Sequence, residues 1–327
     1  MHTDNVRRES KGMREMMRDI AGKASSAFIR LLVVIAVFCG GVFAVEKAMN
    51  VNVLGILVDE AFSGSDVRST SLLDTGEAAA YATFRSAIEL YETEVPVSAY
   101  RKITEEEMEA VVADVRADPT YFYLDREVRY EISSADNINW YVTHISIDYL
   151  YPTDEIDSRR AQLEEGVAQA LTWVDDSMSA TEKAQAIHDY LVRTCSYDST
   201  LQANNAYDAL VSHCCVCQGY GMAYLLCMQR LGIPCVYVIS EEMNHGWNMV
   251  ELDGQWYHVD VTYDDALVTY DGITTNDQGF DADVSHEYFL ISDATIASKG
   301  HYGWTSAHEA PTDYPAYDYP VYAGPRG

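Results

Sequence analysis

The sequence predicts an α+β protein, and three features support this fold class. A helical pattern starts at Cys217 and runs into a Gly-Ile-Pro stop, which is typical of a helix end. Residues 244–265 carry strand patterns on either side of Asp253-Gly254, a dipeptide typical of two-residue hairpin turns. Residues 76–152 combine two helical patterns with aromatic and β-branched runs, which indicates a smaller α+β region before the main domain.

Length and charge limit the classes of function. A chain of 327 residues is expected to form one or two domains. Its 22 Lys+Arg against 51 Asp+Glu give a net charge of -29. Because binding to phosphates requires a basic surface, we expect no nucleic-acid partner and interpret the acidity as a solvated exterior.

The N-terminus departs from this acidity. Residues 1–30 contain seven Lys/Arg and four Asp/Glu, and residues 31–45 carry no charge. A basic start before a short apolar stretch is typical of a signal peptide, whereas a full membrane span needs about 20 residues. We therefore expect a basic cytoplasmic segment at 1–30 and an N-terminal apolar helix at 31–45, either a signal peptide or a membrane anchor. A stalk or linker at 46–75 would follow, with the rest extracytoplasmic, attached to the membrane or secreted.

The region 76–152 is predicted to begin with a helix over 76–94, followed by a helix over 105–116 that Thr104 starts. Aromatic and β-branched residues then predict strands in the runs TYFYLD, REVRYEIS and NWYVTHISIDYLY. No cluster of catalytic residue types occurs here. We interpret the region as a packing or substrate-presenting subdomain.

Two further helices are predicted before the cysteine-rich stretch. One covers residues 157–174, and the next begins at the capping-box pattern from Ser179 to Glu182. His188 lies within this second helix and is interpreted as structural. Residues 311–327 are rich in Tyr and Pro and predict an irregular tail.

The stretch HCCVCQGYG concentrates three of the seven cysteines. His213, Cys214, Cys215 and Cys217 are too crowded to surround one tetrahedral zinc ion, and no second pair of ligands follows, so we expect no metal. If the domain is exported, Cys195 has two candidate disulfide partners, Cys214 and Cys215. The sequence leaves both pairings open.

Cys217 is the first residue of the predicted helix, in which Cys227 falls on the buried face. Unsatisfied N–H groups at a helix start favour a negative charge, as a thiolate nucleophile requires. Such a thiol also needs a base.

The predicted hairpin supplies candidate bases. A regular turn at Asp253-Gly254 pairs Met249 with His258, Trp247 with Asp260 and His245 with Thr262. His245 is then diagonal to Asp260, within reach of a hydrogen bond that orients the imidazole, while its other nitrogen faces Cys217. His258 lies on the same face and is the rival base, and we favour His245.

These segments resemble the transglutaminase-like superfamily. The resemblance rests on the blocks VCQGYGMAY, LGIPC, NHGWN, GQWYHVDVTYDD and HEYFLIS, with Gly246 where alanine is common and Tyr263 where tryptophan is common. It implies a papain-like domain, placed at 153–310, in which a helix carrying the cysteine packs on an antiparallel sheet carrying the histidine and aspartate. It also implies that Cys217 is the nucleophile, His245 the base and Asp260 the orienting acid, without a cofactor.

The implied activity is acyl transfer from amide bonds of peptides or proteins, cell-wall or surface proteins among them. Hydrolysis is favoured over transfer to a lysine amine, and a non-catalytic peptide- or cell-wall-binding module is the alternative. Gln218 and Tyr207 are candidates to hold the oxyanion beside the Cys217 N–H, and Trp247 is a candidate shield for the thioester. Packing roles for Tyr207 and Trp247 remain open.

Overall fold

The computed structural model describes residues 75–97, 103–134, 137–265 and 284–315. The predicted segments 1–30 and 31–45, and nearly all of the stalk, lie outside these residues. Contacts divide the chain into two units, the first with residues up to Ala113 and Glu127–Ile147, the second with Asp114–Arg126 and residues from Asp148 onward. Among the helices described, none combines the length and the apolar character needed to cross a bilayer.

The N-terminal part contains two helices and a three-stranded sheet of order β1-β3-β2. The elements are α1 (Thr75–Glu89), β1 (Glu94–Pro96), α2 (Glu105–Arg116), β2 (Leu124–Ser133) and β3 (Tyr141–Tyr149). The prediction for α2 is confirmed, because the Thr104 hydroxyl accepts from the Glu107 N–H and the Glu107 carboxylate accepts from the Thr104 N–H.

Two predictions for this part are wrong at element boundaries. α1 ends at Glu89 rather than at residue 94, because the chain turns at Tyr91 with a φ of 55° and then enters β1. The run TYFYLD is not a strand from its start. A 3-10 helix occupies Pro119–Tyr121 because Asp118 accepts from the Thr120 N–H, so β2 begins only at Leu124.

The second unit continues with α3 (Thr153–Leu171) and α4 (Ala180–Thr194). α3 starts directly after Pro152, four residues before its predicted start. The capping box of α4 is confirmed, with the Ser179 N–H donating to Glu182 over 2.7 Å and the Glu182 N–H donating to Ser179 over 3.2 Å. Short strands β4 (Ser196–Tyr197) and β5 (Cys214–Cys215) then pair in parallel, separated along the chain by a π-helical turn.

Helix α5 (Cys217–Leu231) lies at the centre of this unit and packs against α4 and two strands of the main sheet. Its residues from Gly219 to Met228 are all buried, Cys227 among them, as predicted. The helix ends at Gly232, whose φ of 69° lies in the left-handed region that glycine adopts without strain. The prediction of its end is therefore confirmed.

The main sheet has five antiparallel strands in the order β10-β6-β7-β8-β9. Its members are β6 (Cys235–Ser240), β7 (His245–Leu252), β8 (Gln255–Val259), β9 (Phe289–Ile291) and β10 (Trp304–Thr305), with α6 (Val261–Asp264) and α7 (Asp293–Ser298) between strands. Asn248 faces α5 and donates to the carbonyl of Gly221 over 3.1 Å. Because side chains alternate along a strand, Trp247 and Met249 point to the other face, where they enter a core cluster with Val238, Ile291, Ile296 and Ala310.

The hairpin register is confirmed close to the turn. Asp253 and Gly254 both have positive φ, 53° and 79°, as a two-residue hairpin turn requires, and Met249 pairs with His258. The predicted pairs beyond Val259 are wrong. Asp260 leaves the strand to cap α6, and its N–H donates to Tyr288 rather than to β7.

Candidate active site

Cys217 is the first residue of α5. The preceding residue, Val216, occupies the N-cap position and makes no side-chain cap hydrogen bond. The first N–H groups of a helix have no intrahelical partner, so this end of α5 offers free donors beside the thiol. Cys217 is partly exposed, whereas the next turn of the helix is buried. The local structure thus presents the thiol at a surface with a favourable environment for negative charge.

His245 is the first residue of β7 and follows Asn244, whose φ of 49° turns the chain into the strand. Its Nε2 lies 2.6 Å from Oδ2 of Asp260, and its side chain is only 8% exposed. The Cys217 side chain lies near enough to this imidazole to raise its pKa. Since Asp260 occupies Nε2, Nδ1 is the nitrogen available to the thiol. The structure therefore brings together the three residues predicted as nucleophile, base and orienting acid.

Electrostatics favour an ion pair between His245 and Asp260. Burial acts to lower the pKa of His245, but the charge and hydrogen bond of Asp260, together with Cys217, outweigh it and raise this pKa to about 10. Burial acts to raise the pKa of Asp260, yet the charge and hydrogen bond of His245 hold it well below its usual range. At neutral pH the pair is an imidazolium and a carboxylate, so His245 holds a proton at the site.

His301 is a site residue that sequence reasoning missed. Its Nε2 lies 2.8 Å from Oδ2 of Asp260, and the residue is 1% exposed. The His301 ring also packs edge-on against Trp247, with centroids 4.9 Å apart. The same carboxylate oxygen thus accepts from two imidazoles, while Oδ1 accepts from the Tyr263 N–H. His301 follows α7 in a loop without a motif, so no local pattern pointed to it.

Both ring nitrogens of the rival base, His258, form hydrogen bonds to groups other than Cys217. Its Nε2 lies 2.7 Å from Oδ1 of Asp293, and its Nδ1 accepts from Nε1 of Trp247 over 2.9 Å. Burial lowers its pKa. Because both ring nitrogens are engaged away from Cys217, the geometry favours His245 over His258 as the base.

Trp247 is buried beside the His245 ring. It is 1% exposed, and its indole stacks on the His245 ring with centroids 5.6 Å apart and planes 21° apart. Trp247 thus packs on the imidazole, and its role as a shield for the thioester stays a prediction. Its bond to His258 holds the indole in that orientation.

The two candidate oxyanion residues have different surroundings. The hydroxyl of Tyr207 donates to Oε1 of Gln162 over 2.5 Å, and its ring stacks on Phe122 at 5.1 Å. The structure thus shows a packing role for the Tyr207 ring and a protein partner for its hydroxyl. Gln218 is exposed in the first turn of α5, and its role at the oxyanion stays a prediction.

Tyr237 of β6 is a second residue that the sequence did not single out. A Cβ on Gly246 would lie 2.0 Å from its hydroxyl, and a Cβ on Gly221 would lie 2.4 Å from its ring. Burial raises its pKa, and so do the charges of Cys217 and Asp260, which places the phenol close to both groups. Two glycines therefore make room for Tyr237 at the site.

The other five cysteines that the structure describes are free thiols. The Sγ atoms of Cys195 and Cys215 lie 3.3 Å apart, and both residues are buried. Cys214, the other candidate, is partly exposed. Because the thiols of Cys195 and Cys215 are in contact, the structure favours this pair over Cys195 with Cys214.

Among the residues that the structure describes, two groups of side chains have donor atoms close enough together to hold a metal ion, within 4.8 Å of one another. They are His188, Asp189 and His286, and His245, Asp260 and His301. In both groups the donors hydrogen-bond to one another.

His188 is fully buried in α4 between Asp189 at 3.0 Å and Asp264 at 3.2 Å. Burial acts to lower its pKa, but these carboxylates raise it to about 9, which fits a structural ion pair within the core.

Comparison with known proteins gives a family match for part of the chain. Residues 165–261 match the family model described as Transglutaminase-like superfamily. A crystal structure described as that of "a TGase" has 11% sequence identity and a TM-score of 0.30 over 57% of this chain and 53% of that one. One described as "a Putative Cysteine Protease from Cytophaga hutchinsonii" has 17% identity and a TM-score of 0.28 over 46% of this chain and 66% of that one.

This chain thus spans about half of the first of these proteins and about two thirds of the second. No curated protein gives a significant sequence match. The matched segment contains Cys217, His245 and Asp260. Residues 165–261 therefore form a domain of the transglutaminase-like superfamily.

Proposed function

We propose that the protein is a thiol enzyme that cleaves or transfers the acyl part of amide bonds in peptides or proteins. One observation carries the proposal: the His245 imidazole lies 2.6 Å from the buried carboxylate of Asp260 and near enough to Cys217 for the thiol to raise its pKa. A thiol, an imidazole and an orienting carboxylate in this order are the requirements of a cysteine nucleophile.

The reaction would proceed through a thioester. Sγ of Cys217 forms a bond to the amide carbonyl carbon, and the carbonyl electrons move to oxygen. When the carbonyl re-forms, the C–N bond breaks and the leaving amine takes the proton that His245 holds. An acceptor then attacks the thioester, and His245 receives the acceptor's proton as the thiolate departs. Asp260 stabilises the imidazolium in both half-reactions.

The acceptor determines whether the protein is a hydrolase or a transglutaminase. We favour water, because water needs no binding site of its own, whereas a lysine amine must be positioned against the thioester. The two outcomes are measured with glutamine-containing peptides in the presence of a fluorescent primary amine. Peptide cleavage or ammonia release without fluorescence in the product supports hydrolysis, and fluorescent product supports amine transfer.

Trapping the thioester tests the chemistry itself. Incubation with p-nitrophenyl acetate should release nitrophenol and add one acetyl group to Cys217, detected by intact-protein and peptide mass spectrometry. Cys217→Ala should stay folded and lose both signals. Nitrophenol release that persists at the wild-type rate in this variant would exclude Cys217 as the nucleophile. The alternative, a non-catalytic binding module, would be favoured by an unreactive Cys217.

We also propose that the N-terminal residues place the domain outside the cytoplasm. Basic residues in 1–30 and the uncharged stretch 31–45 support this. Substrates would then be peptides, surface proteins or cell-wall peptides. Protease treatment of intact cells expressing the full chain should degrade the domain, or the medium should contain it. Its recovery intact in the cytoplasmic fraction would overturn the proposal.

A further inference from the structure

Tyr237 lies where the elements that carry the predicted nucleophile and base meet. Gly221 is one turn beyond Cys217 on α5, and Gly246 directly follows His245 on β7. The Tyr237 ring fills the space that a side chain at Gly221 would need, and its hydroxyl fills the space of a side chain at Gly246. The phenol is therefore clamped between the helix and the strand, with its hydroxyl directed along β7 towards the site.

The hydroxyl is available as a donor. Tyr237 is partly exposed, and within the part of the chain that the structure describes its hydroxyl makes no hydrogen bond. Burial and the charges of Cys217 and Asp260 raise its pKa, so the group keeps its proton under the conditions in which the thiol reacts. A clamped ring with a free, protonated hydroxyl is preorganised to donate a hydrogen bond.

Attack by the thiol creates a need for such a donor. As Sγ of Cys217 bonds to a carbonyl carbon, negative charge develops on the carbonyl oxygen. Hydrogen-bond donors placed in advance stabilise this charge without reorganisation. The free N–H groups at the start of α5 supply one side of the oxyanion site. Tyr207 cannot supply the other, because its hydroxyl is held by Gln162.

We propose that the Tyr237 hydroxyl donates a hydrogen bond to the oxyanion formed at Cys217, as a catalytic residue of the acyl-transfer reaction. This inference rests on the proposed function. No proton leaves the phenol during the step: the hydrogen bond strengthens as the oxygen gains charge and weakens when the carbonyl re-forms. The leaving amine still takes its proton from His245.

The test compares two reactions of the same thiol. Acylation by p-nitrophenyl acetate passes through an oxyanion, whereas alkylation by iodoacetamide occurs at a tetrahedral carbon and forms none. Tyr237→Phe keeps the ring that fills the space beside Gly221 and Gly246. We expect it to slow acylation by about 100-fold and to leave alkylation within about 2-fold of wild type. Tyr257→Phe is the matched control, because it removes a hydroxyl that bonds to Gln255.

The outcomes separate this inference from the proposed function. Equal slowing of both reactions in Tyr237→Phe would show that the hydroxyl acts on the thiol or on His245 and would overturn the oxyanion role. Unchanged rates of both reactions would also overturn it. If wild type is not acylated faster than Cys217→Ala, the proposed function itself fails, whatever the Tyr237 variant does. Thermal unfolding of each variant shows that the fold is retained.

Discussion

Asp260 lies 2.6 Å from Nε2 of His245, although the two residues share no pair of the sheet. The β7–β8 pairing ends at Val259, and Asp260 then caps the short helix α6. From this cap position the carboxylate accepts from both the Tyr263 N–H and the His245 imidazole. A strand continued in register would have placed Asp260 opposite Trp247. The structure instead makes the contact from the first residue after the strand.

Asp260→Asn should slow acylation by p-nitrophenyl acetate by about 10²- to 10⁴-fold, because a neutral amide no longer stabilises the imidazolium. The nitrophenol burst in stopped flow measures this rate. Asp253→Asn in the hairpin turn is the matched control, since asparagine tolerates the positive φ of that position. Wild-type rates in Asp260→Asn would contradict the orienting role of this carboxylate.

The stability that His245 provides should depend on pH. Its pKa is raised to about 10 in the folded protein, compared with about 6.5 for an unperturbed histidine. The resulting stabilisation is complete below pH 6.5 and is lost as the pH rises towards 10. Wild type should thus exceed His245→Gln in free energy of unfolding by on the order of a few kcal/mol at pH 6, with a difference that shrinks at higher pH.

Urea unfolding of both proteins at intervals from pH 6 to pH 10 measures this difference. His188, whose pKa is raised to about 9, is present in both proteins, so its contribution cancels. A difference that stays constant or grows with pH would show that His245 is not held as an imidazolium.

His301 should act as a positioning residue through Asp260. His301→Ala removes a donor 2.8 Å from the carboxylate, and we expect it to slow acylation about 10-fold. His301→Gln should restore most of the rate, because its side-chain amide can donate to the same oxygen. His308→Ala, which removes a ring stacked on Trp256, is the control. Equal losses in His301→Ala and His301→Gln would indicate a packing role instead.

Oxidation should link Cys195 to Cys215, whose Sγ atoms are 3.3 Å apart. Diamide treatment of the folded protein is expected to remove these two thiols together and to produce one linked pair of peptides in mass spectrometry. Cys215→Ser should abolish the link, and Cys214→Ser should leave it unchanged. A link from Cys195 to Cys214 in wild type would contradict the proximity of the Cys195 and Cys215 thiols.

Gly246→Ala should destabilise the domain, because the new Cβ would lie 2.0 Å from the Tyr237 hydroxyl. Overpacking of this kind costs about 1–3 kcal/mol, measured as the free energy of unfolding in urea. Adding Tyr237→Val should recover most of the loss by removing the ring. If the double variant is no more stable than Gly246→Ala alone, the collision is not the cause.

The ends of several helices could be predicted from the local sequence. The capping box at Ser179 and the stop at Gly232 occur where they were predicted, because each depends on groups a few residues apart. The end of α1 and the start of β2 were not predicted correctly from the local sequence. The helical pattern of α1 continues past the turn at Tyr91 that ends the helix. The strand pattern of β2 begins before the strand does, because Asp118 caps a 3-10 helix there. In both places the hydrophobic pattern is a stronger signal than the turn or the cap.

The sequence by itself determined which thiol begins a helix and which hairpin carries His245 and Asp260, because turns and caps are formed by neighbouring residues. Only the tertiary structure decided which groups complete the site. His301 contacts Asp260 although the two residues are 41 positions apart in the sequence. Tyr237 belongs to a different strand from His245, and its ring and hydroxyl fit beside two glycines that have no side chain. Such contacts arise when packed elements bring distant side chains together, and distances of this kind leave no period or motif in the chain.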